Sequence, residues 1–135
     1  MIEFHYEIDF KLTDELGISD WLSKSITLLK KEVGDITYIF CDDAYLLKIN
    51  QDYLQHDTYT DIISFDYSKD NILSGDIFIS IERVKENANN FDVSFEEELK
   101  RVLIHGILHY AGFKDKTEQD AKEMRKQENI YINLK

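Results

Sequence analysis

The 135-residue chain has no proline, one cysteine, five glycines and four histidines. Cys41 has no partner for an internal disulfide, so the chain is not a small secreted scaffold stapled by cystine bridges and must fold on its apolar core. Nothing Pro-rich, Gly/Ser-rich, repetitive or low in complexity divides it, which points to one domain over residues 1–135. No segment approaches the roughly 20 apolar residues that span a bilayer. The opening MIEFHYEIDF lacks the basic region and continuous apolar run of a secretion signal. The expected setting is therefore the reducing cytoplasm, with no membrane partner. Positive charge is also scarce, with 16 basic against 27 acidic residues and a formal charge of −11. Such a chain repels polyanions at long range, so composition alone argues against nucleic acid unless basic groups or a bound cation gather in a cleft.

The apolar pattern predicts a mixture of strands and helices. Ile2, Phe4, Tyr6, Ile8 and Phe10 alternate with polar residues, the period of a half-buried strand, and this sets His5 on the polar side. Ser19 is a candidate cap for a helix through Trp21, Leu22, Ile26, Leu29 and Val33, with Gly34 as its stop. Strands are expected at 36–41, 62–67 and 72–81. A short helix capped by Asp42 and Asp43 carries Leu46, Leu47, Ile49 and Tyr53, and another runs toward Asn90. Ser94 with Glu97 forms a capping-box pattern before EELKRVLIHGILHYAG, whose broad apolar surface predicts a largely buried helix ended by Gly112. Thr117 with Asp120 caps a last helix that its polar composition places on the surface. The sum is a small α+β domain: a mixed sheet with helices and a candidate site at the end of a central buried helix.

Two of the four histidines, His105 and His109, fall four residues apart on that helix. This spacing turns them about 40° around the axis and one turn along it, so their imidazoles project side by side and can converge on one ion. A bare H-x-x-x-H also occurs as a pair of polar residues at a helix edge. Gly112 can break the helix and let the chain turn back, bringing Asp115 toward the same point. Asp115 then reads either as a third ligand or as a solvated loop acid between Lys114 and Lys116. Two neutral imidazoles and one carboxylate are a common catalytic zinc set because they leave a position for water or substrate.

His105, Gly106, Leu108, His109, Gly112 and Phe113 spell H-G-x-L-H-x-x-G-[aromatic]. This resembles the signature of the YbeY family, metal-dependent endoribonucleases of ribosomal RNA maturation. That family commonly ends its motif with a histidine at the position held here by Asp115. The resemblance continues upstream in INQDYLQHDTYTDIISFD and SGDIFIS, so order and spacing agree from Ile49 to Asp115. It implies one divalent ion, zinc, held by His105, His109 and Asp115, and a substrate cleft walled by Asn50, Tyr53, Thr60, Asp61 and Ser64. Phe65, Gly75 and Asp76 fall in the same matching segments, with Phe65 assigned to the core. Where many members carry an arginine, this chain has Leu54.

The function this implies is a metal-dependent endoribonuclease of ribosomal RNA maturation, and of ribosome quality control, with ribosomal RNA and ribosome-associated proteins as partners. No catalytic side chain is assigned, because a metal of this kind itself activates water and polarises a phosphoryl oxygen. Two alternatives differ in class. A metal-stabilised assembly factor would bind without cutting, and Leu54 in place of arginine favours it. A zinc peptidase would need the H-E-x-x-H glutamate, where this chain has Gly106. His56 and Cys41 read as a solvent-facing histidine and a core thiol. Lys48, Arg83, Lys85, Arg101 and Lys114 are cations that could assist but read first as surface charge.

Overall fold

Strand β1 (Ile2–Tyr6) leads into helix α1 (Glu15–Leu28), strand β2 (Glu32–Cys41) and helix α2 (Asp43–Tyr53) in a computed structural model that describes residues 1–53 and 60–134. Strands β3 (Ile62–Asp66) and β4 (Ile72–Ser80) follow, then helices α3 (Ile81–Asn90), α4 (Phe95–Tyr110) and α5 (Glu118–Ile132). The sheet order is β1-β2-β4-β3, with β2 parallel to both β1 and β4, and β3 antiparallel to β4 along the edge. This is the expected mixed-sheet α+β arrangement. Leu54 and His56 lie outside the described residues.

Facing residues of paired strands share a side of the sheet. Ile62 and Ser64 lie opposite Ile79 and Ile77, while Ile63 lies opposite Phe78. Ile77 and Ile79 join Ile36, Tyr38 and Phe40 in the main core, together with α1, α4 and parts of α3 and α5. Phe78 and Phe65 pack on the other side against Leu46 and Ile49 of α2, with Cys41 and Ile63. Four helices therefore cover one face and α2 the other.

Helix α4 is the central element. Leu99, Val102, Leu103, Ile104, Ile107 and Leu108 are buried along it, each contributing on the order of 2 kcal/mol of burial free energy. The buried Tyr38 hydroxyl donates to the Leu103 carbonyl at 2.7 Å and fixes the helix to the sheet. At its far end the Tyr110 hydroxyl donates to the Phe65 carbonyl at 2.9 Å. Gly75 makes room for that contact, since a Cβ there would collide with the same hydroxyl and carbonyl. From Arg101 onward, what α4 leaves less buried is one edge at four-residue spacing: Arg101, His105 and His109.

Several boundaries differ from the sequence reading. Strand β1 stops at Tyr6, although alternate burial continues to Phe10. Helix α1 starts earlier than Ser19 because Asp14 is its cap, accepting from the Gly17 amide. It ends at Leu28, where Lys30 at φ 65° makes the turn; Val33 and Gly34 belong to β2. The caps by Ser94 and Thr117 are present, accepting from Glu97 and Asp120 amides. Helix α5 is not simply exposed. Met124, Glu128 and Tyr131 are buried on it, and Trp21 Nε1 donates to the Tyr131 carbonyl at 2.8 Å.

Candidate metal centre

Ala111 closes α4, and Gly112 follows at φ +108°, a conformation that favours glycine. The reversal brings the Phe113 carbonyl to 3.1 Å from His109 Nδ1 and returns the loop so that Asp115 faces the histidine pair. His105 Nε2 and His109 Nε2 lie 2.9 Å apart, and Asp115 Oδ2 is 3.3 Å from each. These three atoms form a compact triangle, the set among the described residues able to hold a metal ion. Ligands about 2.0–2.1 Å from a tetrahedral ion are separated by about 3.4 Å, so the triangle has the dimensions of one face of such a site.

The hydrogen bonds behind the histidines test whether a cation fits. A carbonyl only accepts, so His109 carries its proton on Nδ1. His105 Nδ1 lies 2.7 Å from Glu128 Oε2, and Arg101 Nη1 donates to Glu128 Oε1 at 3.0 Å, so this carboxylate likewise takes the His105 proton on Nδ1. In the neutral imidazoles, both Nε2 lone pairs are then bare. They point at each other and at a carboxylate oxygen, three acceptors with no donor between them. A divalent cation satisfies all three at once. The C-terminal end of α4 adds negative partial charge at the same place. In the metal-free protein the same field attracts a proton: burial pulls the His105 pKa down, but the Glu128 bond and charge, with Asp115 and Asp61, raise it overall.

The triangle opens into a cleft of about 430 Å³. Thr60, Asp61 and Ser64 line it, Ser64 from its place opposite Ile77 on the α4 side of the sheet edge. Burial pushes the Asp61 carboxyl above its ordinary range, only partly countered by His105 and Arg83. Asn50 and Tyr53 are not brought into this cleft. Both lie on α2, across the sheet, with Asn50 buried and Tyr53 exposed beside Phe65 in a separate pocket. Phe65 packs in the smaller core as predicted, and Asp76 lines that same pocket. Burial pushes the Cys41 thiol up to about 12, and its Sγ contacts the Ile79 carbonyl, so it is a core thiol.

Of the five cations singled out, Arg101 alone lines the cleft; Arg83 pairs with Asp43 at 2.8 Å and Lys48 with Asp52 at 3.1 Å. Glu98, Glu128 and Arg125 also line it and escaped the sequence reading. The signal for Glu98 was available, since it precedes Arg101 by three residues on the polar edge of α4. Glu128 and Arg125 come from a polar stretch of α5 in which no spacing marks them.

Fold and cleft together define a class: a small α+β protein with a candidate open divalent-metal centre at the end of its central helix. Comparison with known proteins makes the class specific. The family model described as endoribonuclease YbeY matches residues 6–134, and the chain belongs to that family. It is 61% identical over 134 residues to the endoribonuclease YbeY of Flavobacterium johnsoniae, covering 99% of this chain and 96% of that protein. It is 49% identical over 117 residues to the Bacteroides fragilis protein of the same name, covering 87% of this chain and 84% of that one. The solution structure of TM1509 from Thermotoga maritima superposes with a TM-score of 0.73 at 28% identity, over 98% of this chain and 87% of that one.

Proposed function

We propose that the chain is a metal-dependent endoribonuclease of ribosomal RNA processing whose ion is held by His105 Nε2, His109 Nε2 and Asp115 Oδ2. One observation carries the reading: two imidazole Nε2 atoms and a carboxylate oxygen converge on one point in a polar cleft of a chain belonging to the endoribonuclease YbeY family. Zinc suits two imidazoles and one carboxylate at tetrahedral spacing. When bound, such an ion lowers the pKa of water and polarises a phosphoryl oxygen.

The chain's own groups supply the surroundings. Arg125, half-exposed and only 3.9 Å from Glu128 at its nearest approach, presents a guanidinium to an entering phosphate, while Arg101 is held by Glu128. These two arginines give local attraction in an otherwise acidic molecule. The Thr60 and Ser64 side chains border the same space and can hydrogen-bond the sugar–phosphate backbone. Asp61, whose carboxyl is raised above its ordinary range by burial, stands at the cleft wall as a group able to hold a proton there. Ribosomal RNA is the substrate in this reading, ribosome-associated proteins are partners, and the cytoplasm is the place. None of the described helices is long and apolar enough to cross a membrane.

A second reading, a metal-stabilised assembly factor that binds RNA or protein without cutting, is favoured by Leu54, at the position where the family signature that the sequence resembles often has arginine. Cleavage of short single-stranded RNA by the purified protein, lost with chelator and in His109→Ala, supports the nuclease. RNA binding without metal-dependent turnover supports the adaptor. A zinc peptidase would need a glutamate directly after the first histidine, and this chain has Gly106 there, packed against Ile77.

A further inference from the structure

We infer that Glu128 is a positioning residue for the metal centre: from helix α5 it fixes the tautomer and direction of His105 so that Nε2 is bare and aimed at the ion. This rests on the metal-centre reading given above. The side chain is only 6% exposed, and both oxygens are engaged, Oε2 with His105 Nδ1 at 2.7 Å and Oε1 with Arg101 Nη1 at 3.0 Å. A buried carboxylate is costly unless paired, and Arg101 on the same edge of α4 supplies the pairing charge. The result is a relay from Arg101 to Glu128 to His105, built across the α4–α5 contact. A carboxylate behind a ligating histidine raises the basicity of the other nitrogen and locks the ring. His109 has only a neutral backbone carbonyl in that place, so the two imidazoles are unequal ligands and His105 is the stronger donor. This also accounts for a buried charged residue on α5 between buried Met124 and Tyr131.

The test is zinc titration of metal-free wild type, Glu128→Gln and Met124→Ala, the last disturbing α5 packing alone, with the unfolding midpoint of each metal-free protein measured alongside. Glu128→Gln should bind zinc about 10- to 100-fold more weakly, while Met124→Ala unfolds earlier but binds as wild type. Equal affinity of Glu128→Gln and wild type overturns the inference and leaves the metal centre standing. A matching loss in Met124→Ala also overturns it, since Glu128 would then act only through packing. A wild type that binds no zinc removes both. If Glu128→Gln does not fold, ¹⁵N spectra of the wild-type imidazoles decide: His105 protonated at Nδ1 and metal-shifted at Nε2 supports the relay, and the opposite tautomer refutes it.

Discussion

Replacing Asp115 by alanine removes one of the three candidate ligands and almost nothing else. The residue lies in the loop between α4 and α5, its side chain is 43% exposed, and its described ion pairs are with the two histidines. Surface changes of this kind usually move stability by no more than about 0.5 kcal/mol. The metal-free variant should therefore melt close to wild type. Metal binding should suffer heavily. Four-ligand zinc sites bind with about 10–16 kcal/mol, which is about 3 kcal/mol per ligand when shared evenly. At 1.4 kcal/mol per tenfold, losing one ligand weakens zinc binding about 100-fold. Competition against a chromophoric chelator measures this directly, and Asp115→His should retain binding. Wild-type affinity in Asp115→Ala would make Asp115 an ordinary loop acid and leave a histidine pair too weak to support the site.

Other substitutions probe the surroundings. In Gly106→Ala the new Cβ would meet Ile77 Cδ1 at 2.9 Å and Ile62 Cδ1 at 3.4 Å; about 1–3 kcal/mol of overpacking should outweigh about 1 kcal/mol of helix propensity, lowering the melting temperature and displacing the histidines enough to weaken zinc binding. A variant melting above wild type would show that the Ile77 tip yields freely. Burial first, then the charge of Asp61, raises the Glu98 pKa against the opposing arginines 101 and 125. With the folded pKa above the unfolded one, stability is intact below the ordinary carboxylate range and is lost as pH rises through the interval up to the raised value. Glu98→Gln should therefore be more stable than wild type at neutral pH and equal to it in acid, as urea melts at both pH values will show; no difference at neutral pH would contradict the burial argument. Leu54→Arg should raise RNA turnover without changing zinc affinity; unchanged turnover would assign the phosphate contact to cleft residues such as Arg125.

The parts of this molecule legible in its sequence are those fixed by local chemistry. Ser94 with Glu97, the apolar run to Leu108 and Gly112 define α4 without reference to any other element, and the i, i+4 spacing then determines where His105 and His109 project. Asp115 follows because a glycine at positive φ turns the chain back over a short loop. Less was legible where both faces of an element are buried. The segment IISFD offers Ile62, Ser64 and Asp66 on one side and Ile63 and Phe65 on the other, and both sides are covered by helices, so nothing in it says which set faces α4. Only the pairing of Ser64 with Ile77 places Ser64 in the cleft, and the packing of Phe65 with α2 takes Tyr53 and Asn50 to the far side. Glu128 was hidden for a different reason: a glutamate in a polar helix acquires meaning only when α5 docks beside His105.

The most direct test of the account is cleavage of short single-stranded RNA by purified protein stripped of metal and then reloaded with zinc, with His109→Ala treated in parallel. The account predicts internal cuts by the reloaded wild type, none by the stripped protein and none by the variant. Cleavage that persists equally in all three, or reloaded wild type that binds zinc and leaves the RNA intact, would contradict it.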